Sequence, residues 1–214
     1  MAKAAANSEE ISGLLRQVAA GDQAVWGDLL ERHRPRLRRV VELRLDPRLQ
    51  GRLDASDIIQ EAYLAASVQL ADYLKKPAIP FHLWLRLVTC QKLVLLHRDH
   101  LKTKARDASR QISLDRGALP AASSAALASK LLGREPSPSE AAGEVEQRRW
   151  VQKALNRMNP LDREVLALRH FEQLTNAETA QVLGLDPAAA SKRYVRALQR
   201  IKEILVAMRG ELGE

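Results

Sequence analysis

The chain has 214 residues, with 34 Lys and Arg against 26 Asp and Glu, a formal net charge of +8 that favours polyanionic partners. Its apolar content of 46% sustains one large domain or two small ones without disulfides, and the single Cys90 can form no internal disulfide, which fits a reducing compartment. The start, MAKAAANSEE, lacks the layout of a secretion signal and no apolar run approaches the ~20 residues of a membrane span, so a soluble, cytoplasmic protein is expected.

In chain order, a first helix is expected from about Asp22 to Leu45. There Trp26, Leu29, Leu30, His33, Leu37, Val40, Val41 and Leu45 recur at helical spacing. Pro35 makes it either one kinked helix or two. Turn residues DPRLQG follow, and a second helix starts near Asp54, with Ile58, Ile59, Ala62, Tyr63, Ala66, Leu70 and Tyr73 as its apolar positions. KKPAIP breaks the chain again. A third block, FHLWLRLVTCQKLVLLHRDH from Phe81 to His100, is apolar on most sides at first and basic later.

Between Leu114 and Glu144 the composition shifts to Ala, Ser, Pro and Gly, which reads as a linker with a transient helix around Ala125 to Leu132. Beyond it Asn159-Pro160 opens a helix as cap and first-turn proline, followed by Leu161, Val165, Leu168 and Phe171 on one face. Thr175 and Glu178 match a capping box. That short helix closes at Gly184, Asp186 caps the next one, and Pro187 takes its first position. No stretch reads as a strand. The expected fold class is therefore all-α: two small helical domains, residues 10–110 and 144–210, joined by a flexible linker over 111–143.

Three surfaces invite function. A short helix, a glycine turn and a longer basic helix make a helix-turn-helix, whose second helix lies in the DNA major groove. Ala190, Tyr194, Ala197, Leu198, Ile201 and Leu205 are expected on its inner face, leaving Ala189, Lys192, Arg193, Arg196 and Arg200 outside, where cations can neutralise phosphates or grip guanine. In LDASDIIQEAYL, Asp57, Gln60 and Glu61 lie at i, i+3 and i+4 and share one face. That face is either plainly solvated or meets a basic protein. From Phe81 to Arg110 cations again gather (Arg86, Lys92, Arg98, Lys102, Lys104, Arg106, Arg110). Lys75, Lys76, Phe81, Trp84, Arg86, Lys92 and Arg98 form a mixture suited to single-stranded nucleic acid, although the two aromatics fit a core better than a stacking platform.

DASDIIQEAYL resembles the acidic helix of the sigma-two domain in bacterial sigma-70 factors. FHLWLRLVTCQKLVLLHR resembles that domain's minus-ten helix. The stretch from MNPLDREVLALRHFEQLT through NAETAQVLGLDPAAASKRYVRALQRI resembles the sigma-four domain. Together they cover about Glu10 to Arg110 and Glu144 to Met208 and identify the chain as similar to the extracytoplasmic-function (ECF) group. RLDPRLQGRLDASDIIQEAYL also resembles the variant common in planctomycete ECF proteins.

The resemblance implies an RNA polymerase sigma factor that binds core RNA polymerase, recognises promoter minus-ten and minus-thirty-five elements and directs initiation. Asp57, Gln60 and Glu61 would dock on the β′ clamp helices, with the β flap and an anti-sigma factor as further partners. Lys75, Lys76, Phe81, Trp84, Arg86, Gln91, Lys92 and Arg98 would serve the minus-ten element, where a base is flipped from its stack at a cost of a few kcal/mol. Ser191, Lys192, Arg193, Arg196 and Arg200 would serve the minus-thirty-five element. The chain departs from the common pattern at Gln91 and Leu95, at Thr179, and at Ala188, Ala189 and Ser191.

No enzyme, metal or cofactor reading competes. His33, His82, His97, His100 and His170 include no HExxH, Cys90 stands alone, Asp54 and Asp57 lack a third ligand, and no Gly-rich phosphate loop is present. The rival functions are a stand-alone helix-turn-helix regulator of duplex DNA, which leaves the acidic face unused, and a helical adaptor, which leaves the basic helix unused.

Overall fold

The computed structural model describes residues 2–46, 48–49, 51–101, 121–132 and 141–210. Lys102, Lys104, Arg106 and Arg110 of the basic block, and most of the expected linker, lie outside these residues. No β-strand occurs among the described residues, and the chain is all-α. The chain forms two compact units. The first is Met1–Val41 with Leu49–Leu119, and the second is Glu42–Arg48 with Pro120–Glu214.

The first unit begins with α1 (Ala2–Ala19), a helix the sequence reading did not anticipate. Ile11 and Val18, seven residues apart and so on one face, are both buried. Helix α2 (Gln23–Arg44) starts where Asp22 accepts hydrogen bonds from the backbone N–H groups of Ala24 and Val25, each at 3.1 Å. It runs through Pro35 as one helix, so the two-helix alternative falls. Trp26, Leu29, Leu30, Leu37, Val40 and Val41 bury its expected stripe.

Asp54 caps α3 (Ala55–Lys75) by accepting from the Ser56 N–H at 2.6 Å. Ile58, Ile59, Ala62 and Ala66 are buried. Two polar bonds fix α3 against α2: the Tyr63 hydroxyl donates to the Leu30 carbonyl at 2.7 Å, and the Trp26 indole donates to Ser67 Oγ at 2.9 Å. Each satisfies a polar tip that burial of its ring would otherwise leave unpaired. Helix α4 (Phe81–Leu101) opens on the Pro80 carbonyl, which accepts from the N–H groups of Leu83 and Trp84. Its first ten residues are almost wholly buried, as its all-round apolar composition requires.

In the second unit, α5 (Ser124–Leu132) occupies the stretch expected to be only transiently helical, and α6 (Ala141–Arg157) packs against it. Asn159 caps α7 (Pro160–Leu166) with Pro160 in its first turn. The expected straight continuation to Phe171 instead widens into a π-helical turn over Ala167–Phe171, where the Glu172 N–H reaches back five residues to the Ala167 carbonyl at 3.0 Å. Gln173 follows with a positive φ of 57°.

Helix α8 (Asn176–Leu183) carries the full Thr175–Glu178 capping box. It closes at Gly184 with φ 65°, where the Leu185 N–H returns to the Ala180 carbonyl at 2.9 Å. Asp186 then caps α9 (Pro187–Gly210) by accepting from the Ala189 N–H at 2.9 Å.

The core of this unit gathers Leu43, Leu127, Ala128, Leu155, Met158, Leu166, Ala167 and Ala197. Beside Leu43, the Arg44 side chain is fully enclosed and its Nη2 donates to both Glu164 and Glu172. The Ala122 N–H adds a bond to Glu164 at 3.1 Å. Removing Arg44 would leave two carboxylates without the cation that neutralises them, a far larger loss than that of an exposed pair.

Candidate nucleic-acid and protein interfaces

On α3 the structure brings Asp57, Gln60 and Glu61 together on one exposed face, opposite buried Ile58, Ile59, Ala62 and Ala66. The same face continues C-terminally into Leu64 and Val68, which are 64% and 83% exposed. These two follow Gln60 and Glu61 at the i+4 and i+7 spacings of one stripe. Their periodicity was visible in the sequence, yet a search for charge alone passes over them. The result is a surface acidic at one end and apolar at the other.

The basic-aromatic block divides by burial. Phe81, Trp84 and Arg86 are 3%, 8% and 4% exposed, so the aromatics take the core alternative. Phe81 meets Trp26 and His33 edge-on at 6.1 and 5.4 Å, and Trp84 stacks on Tyr73 at 4.5 Å. The Tyr73 hydroxyl donates to the Ile79 carbonyl at 3.0 Å, which ties this cluster to the loop before α4. Above it Lys75 and Lys76 are exposed, with Lys75 beside Asp72 at 2.8 Å. Gln91, Leu95 and Arg98 recur at i, i+4 and i+7 on the accessible side of α4. Lys92 turns instead toward α3 and lies 3.3 Å from Glu61.

His33 is buried in this cluster, and burial, followed by the nearby His82, Arg36 and Arg32, lowers its pKa to about 4. Burial likewise raises the Tyr63 hydroxyl to about 12.

In the second unit the helix-turn-helix is built as its caps dictate. Asn176 Nδ2 donates to the Pro187 carbonyl at 2.6 Å, joining the starts of α8 and α9, while Ala180, Ala190 and Ala197 are buried. Ser191, Lys192, Arg196 and Arg200 are exposed on α9. Arg193 is partly enclosed, with its guanidinium 2.7 Å from Asp162 on α7, so it does not stand on the open face where the sequence placed it. Leu198 also departs from expectation. Placed inside by the sequence reading, it is 44% exposed, one turn beyond Val195 at 51%. At 100° per residue these two fall on the flank of α9 opposite Arg196 and Arg200.

Further along that apolar flank, Trp150, Ile201, Lys202, Leu205, Val206 and Arg209 line a groove of about 290 Å³ between α6 and α9. The sequence reading missed Trp150, because no local pattern marks which helix α6 meets.

Residues 148–201 match the family described as "Sigma-70, region 4". The chain is 27% identical over 199 residues to ECF RNA polymerase sigma factor SigD of Mycobacterium tuberculosis, covering 93% of this chain and 85% of the relative. It is 27% identical over 202 residues to RNA polymerase sigma factor CnrH of Cupriavidus metallidurans, covering 94% and 97%. Over about nine-tenths of its length the chain is thus similar to named RNA polymerase sigma factors, the ECF group among them.

The solved structure of CnrH in complex with the cytosolic domain of CnrY shares the fold of this chain, with 24% identity, coverage of 91% and 96%, and a TM-score of 0.53. That the likeness to named sigma factors spans nine-tenths of the chain favours this function over a stand-alone helix-turn-helix regulator, which accounts for the C-terminal helices alone. Among the described residues, no helix is long and apolar enough to cross a membrane, and no group of three or more His, Cys, Asp and Glu could hold a metal ion.

Proposed function

We propose that this sigma factor acts in the cytoplasm, without a catalytic step of its own, and divides its work among three helix faces. The acidic stripe of Asp57, Gln60 and Glu61 docks on the β′ clamp helices of core RNA polymerase, extended by Leu64 and Val68. The segment around Lys75 to Pro80 and the accessible side of α4 take the minus-ten element. There Lys75, Lys76, Gln91, Lys92 and Arg98 reach the DNA, while Phe81, Trp84 and Arg86 hold the frame that presents them. Helix α9 enters the major groove at the minus-thirty-five element with Ser191, Lys192, Arg196 and Arg200, and Arg193 sets its seating through Asp162. The groove beside Trp150 receives the β flap, and an anti-sigma factor is the further partner. In this reading residues 10–110 and 144–210 are the sigma-two and sigma-four domains and 111–143 the linker.

One observation carries this reading: an exposed acidic face and an exposed basic helix face occur in a single chain of net charge +8, which calls for partners of opposite sign. The acidic face is the more telling, since phosphate would repel it. Exchange of both Asp57 and Glu61 for Lys is expected to weaken capture of core RNA polymerase at least tenfold in a pull-down, with the helical circular-dichroism signal retained. Leu64→Ser with Val68→Ser is expected to weaken it by a smaller factor that added salt does not change. Full capture by the double-Lys variant would refute the docking assignment.

A further inference from the structure

Glu61 and Lys92 belong to different proposed contacts, yet they touch. The Lys92 ammonium lies 3.3 Å from the Glu61 carboxylate, with the two side chains 29% and 55% exposed. This follows from helix geometry. Gln91, Leu95 and Arg98 share the accessible side of α4, and Lys92, one residue or 100° further round, is turned toward α3. We propose that Glu61 holds Lys92 back from nucleic-acid phosphate in the free protein, and yields it when a cationic side chain of core polymerase takes the carboxylate. The proposal rests on the reading of Glu61 as a polymerase contact and of Lys92 as a minus-ten contact.

The chemistry suits an exchange. An exposed ion pair contributes little, so its opening costs little, whereas a buried pair would resist. A cation arriving at Glu61 competes for the carboxylate and repels Lys92. The lysine stem is long and its ammonium makes no fixed fork, so it can swing from carboxylate to phosphate without moving the backbone. Docking on polymerase would thereby add one positive charge to the DNA-facing side. Glu61 thus becomes more than a docking residue: it reports polymerase to the minus-ten site.

The test is a double-mutant cycle on the full-length chain, by fluorescence anisotropy with a labelled single-stranded dT oligonucleotide at low ionic strength, where phosphate contacts are strongest. Glu61→Gln is expected to tighten binding about two- to fivefold, the range an exposed ion pair spans. Added to Lys92→Ala it is expected to change nothing. Two results overturn the restraint: titrations of Glu61→Gln and the unaltered chain that coincide, or an equal gain with Lys92 removed, which would make the effect a general loss of negative charge.

A parallel core-polymerase pull-down separates the underlying reading. Glu61→Gln is expected to weaken capture. If capture is unchanged while the oligonucleotide result holds, the pair is static and the docking role of Glu61 is what fails. If capture falls while the oligonucleotide result is absent, docking stands and the relay does not.

Discussion

His33 is buried edge-on to Phe81, the first residue of α4, with His82, Arg36 and Arg32 as the titratable groups around it. Burial holds its pKa near 4, against an ordinary value of 6.5, so the folded protein keeps the imidazole neutral where the unfolded chain takes up a proton. Between those two values the unfolded state binds more protons, and the stability from this residue falls as pH drops from about 6.5 to about 4. Above that window it contributes no slope. Thermal unfolding recorded from pH 7.5 to 4 is expected to show the decline, and His33→Gln to flatten it. An unaltered slope in the variant would place the acid sensitivity elsewhere. At this scale the sequence is least explicit. His33 was legible as one of an apolar stripe, but its burial edge-on to Phe81 was not. Phe81 and Trp84 favoured a core over a stacking platform from the sequence, but Tyr73, Trp26 and His33, which enclose them, were not legible as their partners.

Helix α9 shows how far one element can be divided. Its buried line of Ala190, Ala197 and Met208 separates a basic flank, with Arg196 and Arg200, from an apolar one, with Val195, Leu198 and Val206. Arg193→Ala and Arg196→Ala should therefore differ. Loss of exposed Arg196 is expected to weaken minus-thirty-five binding in the holoenzyme by ~1–3 kcal/mol if it grips a base edge, with the thermal midpoint unchanged. Loss of Arg193 removes the Asp162 bridge, so the midpoint falls, and Asp162→Asn is expected to lower it too. Footprinting that shows unchanged minus-thirty-five protection with Arg196→Ala would contradict the division.

Element ends were the most legible part of the chain, because caps are local chemistry. Asp22, Asp54, Asn159, Thr175, Gly184 and Asp186 each stand where their side chain or backbone freedom is used. The π-helical turn at Ala167–Phe171 was illegible, since its sequence keeps an ordinary helical period. What sits beside it is Glu172, fully buried against Arg44, a partner no local pattern announces.

At the scale of the whole molecule, the class of fold and the two sets of helices followed from composition and periodicity, while membership of the units did not. Glu42–Arg48 joins the second unit because Leu43 enters its core and Arg44 neutralises Glu164 and Glu172, which stand 120 and 128 positions away. Long-range packing of this kind leaves no trace in spacing. The proposed contacts, by contrast, lie on faces: acidic and apolar on α3, basic on α9, each set by helical periodicity. In the proposed function these faces work only in company with core polymerase. The most direct test is run-off transcription with purified core RNA polymerase on the DNA upstream of the protein's own gene. A discrete transcript is expected that requires both core enzyme and this chain, and that is lost when Asp57 and Glu61 are both exchanged for Lys. A chain that binds that DNA tightly by itself and yields no transcript with core enzyme would contradict the proposed function.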